Sequence, residues 1–216
     1  KGIQKSLKKT ANTTVVSSKE LLKAACCNLA ESFETNPSID VNFSDALTGT
    51  KQIKMLGLTS PYILIAEENI PSVRGASQAY GLSFTPGTWG ESIQTTKGAG
   101  SVVNGFESIS GQINTELIKP KNDIPFFLNF YGATEGRFEL NTHFNNQISD
   151  KWASSFYIHG NTRTIKNNMN NDGFLDNPLG KQLNLVSRWQ YSNPEKGWVS
   201  FFNFKYMNDQ KQTGEL

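Results

Sequence analysis

From Arg137 to Ile148 the chain reads RFELNTHFNNQI, and its two parities separate by chemistry. Phe138, Leu140, Thr142, Phe144 and Ile148 form a largely apolar set, whereas Arg137, Glu139, Asn141, His143, Asn145 and Gln147 are all polar. A period of two is that of a β-strand, whose successive side chains point to opposite faces. One apolar and one wholly polar face suit a strand standing between lipid and a wet lumen. The pattern recurs. Trp152 to Thr164 sets Trp152, Ser154, Phe156 and Ile158 against Tyr157, His159, Asn161 and Arg163. Gln182 to Tyr191 sets Leu183, Leu185, Trp189 and Tyr191 against Asn184, Arg188 and Gln190, and Trp198 to Met207 sets Trp198, Phe202, Phe204 and Tyr206 against Asn203 and Lys205. Pro125 to Ala133 precedes them with Phe126, Leu128 and Phe130 against Asn129 and Tyr131. Spans of about 9 to 11 residues are what a tilted strand needs to cross the hydrocarbon. Trp152, Trp189, Tyr191 and Trp198 fall near strand ends, where interfacial aromatic girdles sit.

The connections alternate as well. Ser149 to Lys151 and Ser192 to Gly197 are short, while Lys166 to Gly180 is long. In outer-membrane barrels short turns are periplasmic and long loops extracellular, which makes Thr134 to Gly136 a short outer loop. An odd number of strands that does not return to its start cannot close, and an open edge cannot face lipid. The expectation is therefore a piece of a larger barrel, prone to aggregate without detergent.

Composition limits the alternatives. With 21 Lys and Arg against 19 Asp and Glu, the net charge of +2 carries no nucleic-acid argument. Hydrophobic residues are 37% and aromatics 11%, with 14 Phe, a mixture that suits β-structure with two different faces. No run of about 18 apolar residues exists, so no transmembrane helix is expected, and a membrane β-barrel produces no such run. The chain opens on Lys1 without an apolar leader, so a secretory signal is expected to have been removed or to lie upstream. The two cysteines are neighbours, Cys26 and Cys27, and cannot staple distant segments. They read as two small buried apolar residues, a soft metal pair or a strained vicinal disulfide.

The first half has a different texture. Residues 1–12 are a basic, polar lead-in. Thr13 to Ser17 is a β-branched strand, and Ser18 caps a helix over Lys19 to Asn28 with Leu22, Ala25, Cys26 and Leu29 on one face. Ile39, Val41 and Phe43 alternate as in a half-buried strand. Gln52 to Leu58 and Pro61 to Ala66 read as paired strands around a Thr59-Ser60 turn, followed by a solvated Glu67-Glu68-Asn69 turn. Ile70 to Gly90 is loop-like, and its Arg74, Tyr80, Phe84 and Trp89 are either a ligand-facing set or anchors for the loop. A strand over Ser92 to Thr96 then enters the turn Lys97-Gly98-Ala99-Gly100-Ser101, and a segment with Gly105 and Gly111 leads to a strand over Gln112 to Ile118 that stops at Lys119-Pro120. The lysine precedes the glycines and no helical run follows, so this is not a phosphate-binding loop.

In order, the segments LLKAACCNLAESF, SIDV, KQIKMLG, YILIAEENIP and ESIQTTKGAGSVVNGFESISGQIN resemble the plug domain of TonB-dependent outer-membrane receptors, over roughly Thr13 to Pro120. Leu56-Gly57 stands where such families often have Arg-Gly, and Glu67-Glu68 where they often have Asp-Gly; the chain is similar to the Cys-Cys-Asn-Leu receptors of Bacteroidota. Thr13 to Ser17 loosely resembles the box that binds the energy-coupling protein, but reads here as the first plug strand.

The resemblance implies a mainly β fold, with a small α+β plug followed by an incomplete antiparallel transmembrane β-barrel. Residues 1–12 would be a lead-in, 13–120 the plug and 121–216 the first five or so barrel strands. Lys97, Gly98, Gly100, Gly105, Gly111 and Pro120 would form the plug-to-barrel motif. The implied function is TonB-coupled import of a scarce solute (an iron chelate, haem, cobalamin or a copper complex) across the outer membrane of a Gram-negative bacterium. The implied partners are TonB, that small-molecule or metal-complex substrate and outer-membrane lipid, with no nucleic acid. No nucleophile with base and orienter, metal quartet or phosphate cradle is present in the sequence, so no enzyme is expected. The alternative is a β-rich surface protein that binds carbohydrate through exposed aromatics. In such a soluble protein Phe138, Leu140, Phe156, Trp189, Phe202 and Phe204 would pack into a protein core, whereas in a barrel they face lipid or detergent.

Two further features carry metal readings. Asn168, Asn170, Asp172 and Asp176 place side-chain oxygens around Gly173 as in a degenerate calcium loop, without the closing Glu, and equally as in an Asn/Asp/Gly turn cluster. His143 and His159 share the polar parity, where single histidines are ordinary hydrogen-bonding residues.

Overall fold

The computed structural model describes residues 3–5, 12–21, 33, 39–45, 50–59, 61–100, 102 and 105–216. The chain divides into two compact units, Lys1–Leu117 and Ile118–Leu216.

Among the described residues the first unit holds two sheets. Strands β1 (Ile3–Lys5), β2 (Asn12–Ser17) and a short helix α1 (Ser18–Leu21) are followed by β3 (Asp40–Asp45), β4 (Thr50–Met55), β5 (Leu58–Thr59), β6 (Ile63–Glu67), β7 (Ile70–Pro71), β8 (Gly90–Lys97) and β9 (Gly111–Leu117). The larger sheet runs β1-β2-β8-β9-β6-β7 and the smaller β3-β4-β5. Among the described residues only β6 and β9 pair in parallel; the other neighbours are antiparallel. β6 is buried at Ile63, Leu64, Ile65 and Ala66 in succession, as a strand covered on both faces must be. Ile53 and Met55 of β4 join Val16, Ile63, Ile65, Ile93 and Ile113 of the larger sheet in one core cluster.

The sequence pairing of 52–58 with 61–66 is corrected. The chain reverses earlier, at Leu56 (φ 51°) and Gly57 (φ 80°), so β4 pairs with β5. Two successive positive-φ residues make the tight hairpin turn whose twist matches its strands. β6 then crosses to the other sheet, where its partner β9 lies far along the chain. Residues 22–28 of the expected helix, including Cys26 and Cys27, lie outside the described residues.

The second unit is one antiparallel sheet in sequence order: β10 (Phe126–Gly132), β11 (Arg137–Gln147), β12 (Trp152–Arg163), β13 (Leu179–Asn193) and β14 (Trp198–Gln212). Among the described residues it stays open, with β10 and β14 at its edges. Register fixes the faces. One mid-sheet row reads Leu128, Thr142, Ile158, Leu185, Tyr206, and the next, on the opposite face, reads Asn129, Asn141, His159, Asn184, Met207. Phe138, Leu140, Phe156, Trp189, Phe202 and Phe204 all lie on the first face and are 38–68% exposed, so they do not form a protein core. β13 and β14 run longer than their alternation indicates, because Gly180-Lys181 and Ser192-Asn193 in β13 and Asn208 to Gln212 in β14 carry no apolar alternation and the parity signal vanishes. The 192–197 connection closes through a short 3-10 turn at Pro194–Lys196, with Gly197 at φ 64°.

Candidate functional site

The first unit has two distinct ends. At one, Ile63, Gly111 and Lys97 are neighbours across β6, β9 and β8; at the other lie Glu67, Thr115 and Leu117 with Gly90. The first end is built by the glycine-rich segment. Gly98, at φ 87°, donates its N–H to the Ser110 carbonyl at 2.9 Å, and Gly100 donates to the Ser108 carbonyl at 3.0 Å. Ile109 and Ser110 both donate to the Tyr62 carbonyl, at 3.1 and 3.0 Å. Gly105 closes a smaller turn onto Val102 at 3.2 Å. Gly111 serves close approach instead: a Cβ there would lie 2.6 Å from the Thr96 carbonyl oxygen and 2.8 Å from Met55 Cε.

Arg74 reaches this end and donates through Nε to Glu107 Oε2 at 2.8 Å. Around that ion pair Tyr62, Val102, Phe106 and Ile109 are exposed, with Phe106 at 84%. The result is an apolar surface carrying a salt bridge, suited to a solute with both apolar and charged parts. The other members of the sequence set do not gather with Arg74 there. Tyr80 and Phe84 are half-buried in consecutive short 3-10 turns. Trp89 is 2% exposed, in a 3-10 turn (Gly87–Trp89) that leads directly into Gly90 at the opposite end, and serves as an anchor rather than a ligand-facing group. Tyr62, Val102, Phe106 and Ile109 escaped sequence reasoning because nothing periodic marks them; they lie in the segments just outside β6 and between β8 and β9, tied together by the Ile109 and Ser110 N–H groups on the Tyr62 carbonyl.

At the opposite end, Glu67-Glu68-Asn69 is not merely a solvated turn. Glu68 accepts the Leu117 N–H at 2.8 Å, Asn69 donates its N–H to Asn114 Oδ1 at 2.7 Å, and Glu67 accepts the Thr85 hydroxyl at 3.1 Å. The turn therefore clamps the last residues of β9. In the second unit, Pro120 is buried in a turn closed by Asn122 N–H onto the Lys119 carbonyl at 3.0 Å.

The polar face of the second unit carries several hydrogen-bonded groups. Arg137 Nε donates to Glu139 at 2.6 Å, and Asn161 donates to Gln182 at 2.7 Å. His159 Nδ1 lies 2.7 Å from Asn141 Oδ1, an acceptor, so Nδ1 carries the proton and Nε2 accepts from Asn161 at 3.3 Å. His143 Nε2 contacts Asp123 at 2.6 Å, and its ring stacks on Phe127 at 4.9 Å. The two histidines thus have separate partners in separate rows. Among the described residues no group of three or more His, Cys, Asp or Glu is placed to hold a metal. Arg188 is fully buried with its guanidinium 4.6 Å from the Phe201 ring centre.

In the long connection the oxygens of the calcium-like pattern accept the loop's own amides. Asn168 and Asn170 accept the Asp172 N–H at 3.1 and 3.3 Å, Asp172 accepts that of Phe174 at 2.8 Å, and Asp176 accepts that of Met169 at 2.7 Å. This is the hydrogen bonding of nested Asx turns.

A glycine-closed mixed sheet followed by an open antiparallel sheet with one apolar and one polar face defines a receptor plug joined to transmembrane barrel wall. The TonB-dependent Receptor Plug Domain model matches residues 5–112, half of the chain, and the chain belongs to the TonB-dependent receptors. Its fold is mainly β, a small α+β plug followed by an incomplete antiparallel transmembrane β-barrel. Similar solved structures include the ferric-catecholate import receptor Fiu from E. coli K12 (17% identity, TM-score 0.68, covering 93% of this chain and 27% of that one). The pyoverdine outer membrane receptor FpvA from Pseudomonas aeruginosa PAO1 is similar at 14% identity and TM-score 0.70, with 94% of this chain and 28% of that one covered. The copper transporter OprC is similar at 12% identity and TM-score 0.74, with 98% and 32% covered. At these identities the likeness is one of fold, and the chain spans about a third or less of each structure's length. No curated protein matches the sequence.

Proposed function

We propose that this chain is the plug and first barrel strands of an outer-membrane importer that takes up a small metal complex, driven through TonB. The observation that carries it is the division of faces in the second unit: an exposed apolar face suited to lipid, backed by a hydrogen-bonded polar face suited to a solute path. The surface around Arg74, Glu107, Tyr62 and Phe106 would meet the solute on the plug. The similar structures include receptors named for ferric-catecholate, pyoverdine and copper, which supports an iron chelate or copper complex among the candidates, with haem and cobalamin beside them. The vicinal cysteine motif Cys26-Cys27-Asn28-Leu29 supports placing the chain in the Bacteroidota branch. The reading assigns the protein binding and translocation, with no covalent step.

The test is uptake by Gram-negative cells producing the full-length receptor, supplied with radiolabelled ferric chelates, a copper complex, haem or cobalamin. One class should accumulate in the periplasm, and accumulation should cease when an uncoupler collapses the inner-membrane proton gradient. Accumulation that ignores the uncoupler, or no accumulation of any class, would sink the proposal.

A further inference from the structure

We propose that residues 118–125 are a strap pinned to the barrel wall, so that the rearrangement of the first unit during import cannot begin at the end of its last strand, β9. This rests on the import reading only for the source of the load. Energy delivered through TonB acts on the first unit, and the covalent route from there to the barrel runs from Leu117 through this segment into β10. Such a segment could be a slack tether on which the first unit moves freely. Here, instead, polar side chains of two neighbouring wall strands hold it along its length.

The β-register sets His143 of β11 opposite Tyr157 of β12 and, one polar row nearer the 149–151 turn, Asn145 opposite Ser155. Tyr157 donates its hydroxyl to the Ile118 carbonyl at 2.8 Å, one residue past the end of β9. His143 Nε2 lies 2.6 Å from Asp123 Oδ2; an ionised carboxylate only accepts, so Nε2 carries the proton. Asn145 donates through Nδ2 to the same carboxylate oxygen at 3.0 Å and to the Ile124 carbonyl at 2.6 Å, and its backbone N–H donates to the Pro125 carbonyl at 2.8 Å. Ser155 donates to Asn145 Oδ1, which fixes the amide with its nitrogen toward the strap. The rings of Phe127 and Tyr157 lie 4.9 and 5.2 Å from the His143 imidazole and hold its orientation. Lys121 adds an exposed contact, donating to the Asp150 carbonyl at 2.6 Å. His143, Ser155 and Tyr157 are buried, so water competes poorly for their bonds, and those to Asp123 are charge-assisted. Between the clamps at Ile118 and Asp123 lies the turn that Asn122 closes onto Lys119. Load arriving at Leu117 therefore meets a chain with its slack already taken up, and the first unit has to give way upstream while the end of β9 stays in place. His143, Asn145 and Tyr157 are positioning residues for import, acting through the strap rather than on the solute.

The experiment is single-molecule pulling on the N terminus of the full-length receptor, with the barrel held in a lipid bilayer. Once the first unit has extended, wild type should show no separate low-force step for the linker, and residues 118–124 should leave only together with β10. The variant Tyr157→Phe/His143→Ala/Asn145→Ala should add a distinct step of roughly 25 Å, the extended length of that stretch, and release it at least about tenfold faster at equal force. Tyr157→Phe alone removes only a hydroxyl and should speed release about fivefold, which keeps the test readable if the combined variant does not assemble. Asn161→Ala breaks a hydrogen bond to Gln182 on the same polar face without touching the strap, and should match wild type. A separate low-force linker step in wild type, wild-type release in the combined variant or in Tyr157→Phe, or an equal effect of Asn161→Ala would each overturn the strap. Uptake decides the import reading independently. Energised uptake by a receptor whose linker pays out freely overturns the strap and leaves import standing, whereas a held linker without energised uptake of any chelate upholds the strap and overturns import.

Discussion

Gly111→Val is expected to unfold the first unit, or to leave it open to protease, while Gly98→Ala lowers its stability by only about 1 kcal/mol. The two glycines belong to one motif but answer different needs. Gly98 sits at φ 87° with nothing within 4 Å of its would-be Cβ, so a side chain there costs backbone strain alone. Gly111 sits where β9 passes β8 and the small sheet. Its would-be Cβ meets the Thr96 carbonyl at 2.6 Å and the Met55 thioether at 2.8 Å. Met55 can swing aside, but the carbonyl belongs to the backbone of a paired strand and cannot. Overpacking of this kind costs about 1–3 kcal/mol where neighbours relax and more where they are backbone. The loss should exceed 3 kcal/mol, roughly, since valine adds two further methyls to a site that rejects the first carbon. Trypsin digestion of the membrane-embedded receptor reads this directly: the variant's plug should be cut under conditions in which wild type and Gly98→Ala resist. Equal resistance would show that β8 and β9 do not approach as described.

Leu185→Arg carries the second large effect. Leu185 lies mid-strand in β13, in the row Leu128, Thr142, Ile158, Leu185, Tyr206 on the exposed face. If that row is at the hydrocarbon centre, an arginine costs about 2–4 kcal/mol against folding into a bilayer. Leu185→Met preserves volume and apolarity and should cost under about 1.5 kcal/mol. The opposite face already holds a cation at similar depth, Lys205 opposite Val186. Denaturant titration of the full-length receptor in lipid vesicles measures both variants, and a Leu185→Arg loss no larger than that of Leu185→Met would remove the lipid from this face.

The second unit was legible because a membrane strand writes its two solvents into alternating residues. Phe138 to Gln147 announces both faces without any knowledge of its neighbours. The first unit was legible only in pieces. Nothing local indicates that Leu56 takes a positive φ, so sequence alone favours a turn at Thr59-Ser60, and a long-range parallel partner for β6 cannot be read from β6 itself. The same holds for the candidate site. A loop aromatic such as Trp89 reads equally as ligand-facing or as an anchor until tertiary packing buries it, and Tyr62 joins the glycine-rich segment only through the Ile109 and Ser110 amides on its carbonyl, a contact no local pattern marks.

The central claim is that alternate residues of the second unit face lipid and aqueous lumen. Single cysteines placed from Phe138 to Phe144 in the full-length receptor, spin-labelled and reconstituted in bilayers, test it through their relative accessibility to oxygen and to a water-soluble nickel chelate. Positions 138, 140, 142 and 144 should favour oxygen, and positions 139, 141 and 143 should not, giving a period of two along the strand. A flat profile, or nickel access at Phe138, Leu140 and Phe144, would contradict the membrane-barrel account.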